Sequence, residues 1–444
     1  MTLNDFNLSE YGLKSCVPSP VSRMMADVAA AFRVDKDINL GVGYVNEATI
    51  PRKLILEAFQ AIIDNPKKYK LALNYGGPHG SSNLITALKN YYINNRIGGL
   101  LEENLNNNEI IIGPNGATSL LEGIARVLNP GIVITPDPMY YIYCDYLERQ
   151  GFEIITVTED HHGIRTDLLE KKLRTLENRL EDLSFFYIVT VNNPTCNLLS
   201  NNRRKKIIRI VNNVSEKLGR KIPLIFDKAY EDLIHNPSAE QPVSGLLYDE
   251  NKLVYEIGTI SKILSPALRI GYMIGPDNTF LKSMVQKTSD VGFSAPLITQ
   301  EIASYLLEHH IDKQLGHVNK GYRLKAEKTG AWIKEHLGEH LEDITGGEAG
   351  FYFYLTYKKI KTTEGSPFFN FLSRTTGNID IDGPGDNLHP KVIYLPGQFC
   401  IHPKGDLVEK GTRQLRLSYG FEELNKIEQA ITLMKQAVEY ASNV

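Results

Sequence analysis

Short apolar runs alternate with amphipathic segments from about residue 50 to about residue 320. The run from Phe185 to Val191 is almost uniformly apolar, which predicts a strand buried on both faces of a sheet. The segment that follows Asn201 places Ile207 and Val211 at helical spacing, and Asn201 can cap that helix. Strands that alternate with helices predict a largely parallel sheet covered by helices. Further strands are predicted at 110–112, 131–135, 152–157, 223–226 and 253–257.

The pattern changes after about residue 320, where long helical segments flank isolated strands. Helices are predicted over roughly 293–337, with a break, and over 422–441, and strands at 351–355 and 415–418. A loop rich in Pro, Gly and Asp is predicted from Asp380 to His389.

We therefore expect an α/β protein with two domains. The large domain, residues 49–325, is expected to contain a mostly parallel sheet sandwiched by helices. The C-terminal small domain, residues 326–444, is α+β. Residues 1–48 form an N-terminal arm that is part of the small domain and holds one helix, from Ser22 to about Arg33.

Composition and charge exclude several classes of protein. The chain has 444 residues, 42% hydrophobic and 23% charged, with a net charge of −3, so nothing favours nucleic acid as a partner. Its four cysteines are scattered without a CxxC pair, which suits a reducing compartment. The sequence shows no signal peptide and no apolar stretch long enough to cross a bilayer, so we expect a cytoplasmic protein.

The segment Thr259-Ile260-Ser261-Lys262 carries the most specific chemistry in the chain. Hydroxyl groups stand three residues and one residue before Lys262, and Arg269 follows seven residues after it. A lysine that forms a Schiff base with pyridoxal phosphate needs cations and hydroxyl groups for the phosphate, a carboxylate for the pyridine nitrogen and donors for the ring hydroxyl. Pyridoxal 5'-phosphate is the cofactor that this pattern predicts.

Other polar residues follow predicted strands, and ligands of an open parallel sheet bind beyond the carboxyl ends of its strands. Asp227 ends one strand and could hold a protonated pyridine nitrogen, or it could be an ordinary capping aspartate. Tyr230, three residues on, could reach the ring oxygen. Asn193 in Asn193-Pro194-Thr195 could donate to the same oxygen or belong to a common surface turn.

Three further features are candidates for the same site. Gly116-Ala117-Thr118, between a strand and a helix, could bring backbone amides to a phosphate, or form an ordinary glycine turn. Tyr140 could stack on the cofactor ring, a role for which Tyr141 and Tyr143 compete. Arg416, on an apolar strand, could bind a substrate carboxylate or be structural.

Together these residues resemble the class I and II aminotransferases, fold-type I pyridoxal phosphate enzymes related to aspartate aminotransferase. The resemblance runs from about residue 38 to the C-terminus, and it implies that the mostly parallel sheet of the large domain is seven-stranded. It implies that Lys262 is the Schiff-base lysine, Arg269 the phosphate-binding arginine and Arg416 the arginine that binds the substrate carboxylate. The family motifs Asp-x-Ala/Val-Tyr and Asn-Pro-Thr-Gly are matched by Asp227, Ala229 and Tyr230, and by Asn193, Pro194 and Thr195.

The resemblance also implies a homodimer with shared active sites. In the family, the tyrosine of a Tyr-x-x-x-x-Gly stretch reaches the phosphate of the neighbouring subunit, and Tyr75 and Gly80 match this stretch. Cys196 and Ala267 replace two glycines that are usual in the family. Tyr44 replaces a proline that many relatives have after the glycine that falls on Gly43, near the expected substrate entrance.

The implied activity is transfer of the amino group of an L-amino acid to a 2-oxo acid by a ping-pong mechanism through a Schiff base on Lys262. We expect Asp227 and Tyr230 to assist Lys262, and Arg416, Asn193, Gly43 and Tyr44 to contact the substrate.

Two alternatives stay open at this point. The same motifs occur in carbon–sulfur lyases and related synthases on this fold. A pyridoxal-phosphate-binding sensor domain of a transcription regulator is the non-enzyme alternative, although about forty residues before Gly41 are too few for a winged helix. The sequence shows no HExxH or clustered metal ligands, so no metal is expected.

Overall fold

The computed structural model describes residues 6–385 and 387–444, with the backbone alone at 27–29 and 31. The strands are β1 (Ile38–Asn39), β2 (Glu109–Ile112), β3 (Ile132–Asp137), β4 (Glu153–Asp160), β5 (Gly163–Ile164), β6 (Leu183–Val189), β7 (Leu224–Asp227), β8 (Val254–Thr259), β9 (Gly271–Gly275), β10 (Leu341–Gly346), β11 (Tyr352–Tyr357), β12 (Val392–Ile393), β13 (Leu395–Pro396) and β14 (Gln414–Ser418).

The helices are α1 (Glu10–Ser15), α2 (Pro20–Ala31), α3 (Arg52–Asp64), α4 (Ser82–Asn94), α5 (Glu102–Asn106), α6 (Gly116–Val127), α7 (Tyr141–Arg149), α8 (Thr166–Leu176), α9 (Asn201–Leu218), α10 (Thr279–Asp290), α11 (Leu297–His309), α12 (Ile311–Leu337), α13 (Pro367–Ser373), α14 (Ile379–Asp382), α15 (Val408–Gly411) and α16 (Leu424–Asn443).

The large sheet has the strand order β2-β9-β8-β7-β6-β3-β4-β5. Strands β8, β7, β6, β3 and β4 are parallel to one another, whereas β9 and β5 run antiparallel to their neighbours. The sheet has eight strands, one more than predicted, because the two-residue β5 adds to its edge. Since β9 is antiparallel to both β8 and β2, the ends of β2, β3, β6, β7 and β8 all lie at one edge of the sheet.

Both faces of this sheet are buried, which explains the near-continuous apolar sequence of its central strands. In β6, Phe185 and Tyr187 pack in one hydrophobic cluster, and Phe186 and Ile188 pack in another on the opposite face. Successive side chains of a strand point to opposite faces, so one apolar run contributes to two cores.

The second sheet is antiparallel, with the order β10-β11-β14-β13. Helix α16 packs against α12 and α13 beside this sheet. Strand β1 pairs in parallel with β12, so the N-terminal arm is joined to the C-terminal part of the chain. The predicted division at residue 325 falls inside the continuous helix α12, and the domain boundaries stay a prediction.

The predicted elements lie within a few residues of their observed bounds, and the break expected in 293–337 occurs at His310, between α11 and α12. The predicted loop 380–389 is partly wrong, because its first three residues complete α14; residue 386 lies outside the described residues. Strands β9 and β10 lacked a clear pattern in the sequence.

Candidate active site

A cavity of about 150 Å³ lies at the edge of the large sheet where the parallel strands end. Asp227 is the last residue of β7 and Thr259 the last residue of β8, and Asn193 and Tyr140 follow β6 and β3. The common direction of these strands gathers side chains that are far apart in sequence. The cavity is lined by Ala117, Thr118, Leu121, Tyr140, Val189, Asn193, Asp227, Ala229, Tyr230, Thr259, Ser261, Lys262, Pro266 and Arg269.

Lys262 presents its amine to this cavity from the turn after β8. Its Nζ donates a hydrogen bond to the carbonyl oxygen of Gly43 at 3.1 Å, and lies 5.4 Å from the centre of the Tyr230 ring and 5.6 Å from that of Phe351. Burial, together with the positive charges of Arg416 and Arg269, lowers the pKa of Lys262 to about 8. About a tenth of this amine is therefore neutral, and nucleophilic, at pH 7, far more than for a lysine of ordinary pKa.

One end of the cavity is suited to an anion. Helix α6 begins at Gly116, and the first backbone amides of a helix have no partner within it. Gly116 has a φ of +69°, and a Cβ there would lie 3.0 Å from Nη2 of Arg269, so a larger residue is excluded. Arg269 donates from Nε to the side-chain oxygen of Asn115 at 2.8 Å, and Thr259 and Ser261 place two hydroxyl groups 2.9 Å apart.

Asp227 is a buried carboxylate that also lines the cavity. Its Oδ2 accepts a hydrogen bond from the Tyr187 hydroxyl at 2.7 Å, and its Oδ1 accepts one from the backbone N–H of Ala229 at 3.0 Å. Burial raises the pKa of Asp227 although the hydrogen bond from Tyr187 opposes the change. A cationic group beside it would favour the charged carboxylate again.

Two tyrosines also line the cavity. The Tyr230 hydroxyl is 2.9 Å from the hydroxyl of Tyr352, and the ring of Tyr230 packs edge-on against Phe351. Of the three tyrosines that compete for the ring-stacking role, only Tyr140 lines this cavity among the described residues. Tyr143 is buried instead and donates to the carbonyl oxygen of Leu121.

Arg416 lies beside the cavity on β14, fully buried. It donates from Nη1 to the side-chain oxygen of Asn193 at 2.8 Å and from Nη2 to the carbonyl oxygen of Gly41 at 2.6 Å. Its Cζ lies 4.3 Å from the centre of the Tyr352 ring, while its Nε is buried without a hydrogen-bond partner. Each Nη retains a second N–H, so the guanidinium can still bind a carboxylate.

The turn that carries Asn193 is fixed by a buried carboxyl group. Thr195 donates to Oε1 of Glu159 at 2.5 Å and Asn197 donates to the same oxygen at 3.0 Å, while Oε2 is buried without a partner. Burial raises the pKa of Glu159 to about 7. Cys196 has a φ of +52°, a conformation that glycine adopts more easily, so its replacement of the usual glycine has a conformational cost.

Three predicted residues lie at or beyond the margin of the cavity. Gly43 contacts Lys262 through its carbonyl oxygen, and a Cβ at Gly43 would lie 2.5 Å from the Tyr352 hydroxyl. Tyr44 is 63% exposed and packs edge-on against Phe421. Tyr75 is 76% exposed and contacts the ring of Phe293, away from the cavity of its own chain.

Several residues that shape the site were not anticipated from the sequence. Tyr187 and Tyr352 each add a hydroxyl group to a strand whose sequence otherwise predicts an apolar core. A tyrosine near the carboxyl end of a buried strand was the available signal for Tyr187. Glu159 and Asn115 had no signal, because their roles depend on contacts between distant segments.

The donor set fits pyridoxal phosphate. The helix terminus at Gly116 with Arg269, Thr259 and Ser261 can hold a phosphate, and Asp227 can hold a pyridinium nitrogen. Lys262 supplies the amine between them. Among the described residues, no group of three or more His, Cys, Asp or Glu side chains could hold a metal ion.

Comparison with known proteins shows the family to which the chain belongs. The profile of the family described as aminotransferase class I and II matches residues 35–365. The chain is 26% identical over 408 residues to an uncharacterized HTH-type transcriptional regulator of Bacillus subtilis, covering 91% of this chain and 73% of that protein. It is 24% identical over 407 residues to aromatic-amino-acid aminotransferase 1 of Thermococcus litoralis, covering 90% and 88%.

The fold is also found among solved structures. The structure of a multiple substrate aminotransferase from Thermococcus profundus superposes with a TM-score of 0.81, at 21% identity over 98% of each chain. Within the described part of the chain, every helix is too short or too polar to span a membrane.

Proposed function

Because the chain belongs to the class I and II aminotransferase family, we propose that the cavity around Lys262 is the active site of its pyridoxal-phosphate-dependent amino-group transfer. The observation that carries this proposal is the position of the partly buried Lys262 amine in a cavity that Asp227 and Arg269 also line. Burial and two arginines also lower the pKa of Lys262 to about 8. When bound, pyridoxal phosphate supplies a carbonyl group for the amine and a conjugated ring that accepts electrons.

The residues around the cavity would hold the cofactor at three points. The amides at the start of α6, Arg269 and the hydroxyl groups of Thr259 and Ser261 would bind its phosphate. Asp227 would pair with the pyridine nitrogen, with Tyr187 and the Ala229 amide fixing the carboxylate. Asn193 and Tyr230 would donate to the ring oxygen, and Tyr140 would pack against the ring.

Lys262 would move the proton in the reaction. In its neutral form, Nζ can accept the proton from Cα of the amino acid and later return a proton. One flexible side chain would reach both the carbon that loses the proton and the carbon that receives it. The carbonyl oxygen of Gly43 accepts a hydrogen bond from Nζ and so orients the amine when it is not engaged.

Arg416 would bind the α-carboxylate of the substrate. Asn193 and Gly41 already fix two of its N–H groups, so its plane is set before substrate binds. A carboxylate held in a fixed plane restricts rotation of the substrate and therefore directs its Cα–H bond towards Lys262.

A homodimer would complete the site. Leu71, Leu73 and Tyr75 are exposed in one segment and Val291 and Phe293 in another, and the rings of Tyr75 and Phe293, 5.5 Å apart, bring the two segments into contact. Large apolar side chains gathered in one place are typical of an interface. The resemblance noted above assigns Tyr75 to the phosphate of the neighbouring subunit, and its exposure leaves it available for that contact.

The regulator relative is the reason to test a second candidate, a pyridoxal-phosphate-binding sensor. Lyases on the same fold are a third. All three would bind the cofactor, so binding alone does not separate them.

The decisive experiment is the visible absorbance of the protein loaded with pyridoxal phosphate, recorded while single amino acids are added without a keto acid. An aminotransferase loses its yellow band with particular amino acids and regains it when a 2-oxo acid is added. A lyase releases pyruvate and ammonia, and a sensor keeps its band through repeated additions. A protein that stays colourless with pyridoxal phosphate would contradict the assignment of Lys262.

A further inference from the structure

The hydroxyl groups of Tyr352 and Tyr230 face one another inside the site. They are 2.9 Å apart, and the two rings meet edge-on with their centres 5.7 Å apart. Both side chains are buried, and among the described residues neither hydroxyl makes another hydrogen bond. Tyr352 is the first residue of β11 and Tyr230 follows β7, so this contact joins the two sheets.

Tyr352 also contacts the other polar groups of the site. The guanidinium of Arg416 lies over its ring, with Cζ 4.3 Å from the ring centre. Its hydroxyl occupies the space that a side chain at Gly43 would need, and the Gly43 carbonyl oxygen is the acceptor for Lys262. Tyr352 therefore contacts Arg416 and Tyr230 directly and is linked to Lys262 through Gly43.

The direction of the hydrogen bond follows from counting protons. A phenol hydroxyl has one proton to donate and lone pairs to accept with. If Tyr230 donates its proton to the ring oxygen of the cofactor, the 2.9 Å contact needs the proton of Tyr352. Resting on the function proposed above, we propose that Tyr352 is a positioning residue that donates to Tyr230 and strengthens the hydrogen bond from Tyr230 to the cofactor.

The consequence is electrostatic. A hydroxyl that accepts a hydrogen bond becomes a better donor, because neighbouring hydrogen bonds polarise one another. A stronger donor stabilises negative charge on the ring oxygen, and that oxygen then holds the proton on the Lys262 nitrogen less tightly. With the cofactor bound, Tyr352 would thus lower the pH at which the Lys262 nitrogen loses this proton and would favour the unprotonated form at neutral pH.

The surroundings contain few other groups that could act in the same way. Among the described residues, the titratable or charged groups that face the hydroxyl pair are Arg416, Tyr140, Tyr141, Tyr322, Cys196 and Cys400, with Lys262 beyond the Tyr230 ring. Replacing Tyr352 by phenylalanine removes only an oxygen atom and leaves the ring against Arg416. The substitution therefore separates the hydroxyl from the packing.

The test is a spectrophotometric pH titration of the protein loaded with pyridoxal phosphate, for the parent and for Tyr352→Phe. We expect the titration midpoint of the variant to rise by about half a pKa unit. This shift corresponds to the part of the free energy of one hydrogen bond that is transmitted through Tyr230. The kcat should fall by about two- to tenfold while the KM for the amino acid changes little, because Arg416 is untouched.

Two controls make the result specific. Tyr394→Phe removes a buried hydroxyl that donates to the carbonyl oxygen of Thr362 outside the site, and should leave the midpoint unchanged. In a Tyr230→Phe background, Tyr352→Phe should cause no further shift, because its effect passes through the Tyr230 hydroxyl.

The inference is overturned if Tyr352→Phe titrates like the parent, if its midpoint falls, if it shifts the midpoint equally without the Tyr230 hydroxyl, or if Tyr394→Phe has the same effect. These outcomes leave the proposed function intact. A parent protein that takes up no pyridoxal phosphate would instead refute the proposed function itself.

Discussion

Nη1 of Arg416 donates a hydrogen bond to the side-chain oxygen of Asn193 at 2.8 Å, across 223 residues of sequence. Arg416 belongs to the small antiparallel sheet, and Asn193 to a turn at the edge of the large sheet. The contact therefore ties the group proposed to bind the substrate to a group proposed to bind the cofactor. A change at either residue should affect both substrate and cofactor.

Arg416→Lys should reduce kcat/KM for an amino acid by about 10- to 100-fold, mainly through KM, because an ammonium group cannot bind a carboxylate in the bidentate geometry of a guanidinium. Steady-state kinetics at saturating 2-oxo acid measure the effect. Arg413→Lys, which alters an arginine paired with Glu342 at the surface, is the matched control. Equal kinetics for the two variants would remove Arg416 from substrate binding.

Lys262→Ala should lower kcat by about 10⁴-fold, since the variant lacks both the amine and the base that moves the proton. The phosphate contacts remain, so we expect pyridoxal phosphate to bind weakly and to be lost on dialysis. Single-turnover absorbance and dialysis measure the two effects. Lys282→Ala, at an exposed lysine, serves as the control. Turnover at the parent rate in Lys262→Ala would refute the mechanism.

The uptake of pyridoxal phosphate by the cofactor-free protein should depend on pH. Burial and two arginines lower the pKa of Lys262 to about 8, and only the neutral amine attacks a carbonyl group. The rate of appearance of the yellow band should therefore rise with pH and level off above about pH 8. A rate that continues to rise beyond pH 10 would show that Lys262 has the pKa of an ordinary lysine.

Glu159→Gln should change how stability depends on pH. Burial raises the pKa of Glu159 from 4.5 to about 7, so the folded protein binds this proton more tightly than the unfolded chain does. Stability from this group is complete below about pH 4.5 and is lost as pH rises to about 7, a change of about 1 to 3 kcal/mol. Urea denaturation at pH 5 and pH 8 should show the variant gaining stability relative to the parent at the higher pH. If the difference in stability between variant and parent were the same at pH 5 and pH 8, the Glu159 carboxyl group would be in contact with solvent.

The proposed homodimer predicts a particle of about twice the chain mass of 49.9 kDa in light scattering. Leu73→Glu, in the exposed apolar surface beside Tyr75, should split the dimer and weaken pyridoxal phosphate binding by about tenfold or more, because a charge cannot be buried there without a partner. Leu101→Glu, at an exposed leucine elsewhere, should do neither. A monomeric parent protein that binds the cofactor fully would contradict the shared site.

The large sheet and the residues directly after its strands can be predicted from the amino-acid sequence. Apolar runs indicate the strands, and a parallel sheet collects its strand ends at one edge, so the sequence alone predicts that Lys262, Asp227, Asn193 and Tyr230 lie together. Short-range motifs carry this information because the backbone geometry of a strand end and its turn is local.

Contacts between distant segments depend on how the two sheets pack and have no signal in the sequence. This packing places Tyr140 at the cavity and Tyr143 outside it, brings Tyr352 to Tyr230 across 122 residues, and holds the Gly43 carbonyl oxygen against Lys262 across 219 residues. A hydroxyl on an apolar strand has the same sequence pattern whether it faces a cavity or a packed core. The packing of one sheet against another determines whether the hydroxyl faces a cavity or the core, because that packing fixes which polar group lies within hydrogen-bond distance.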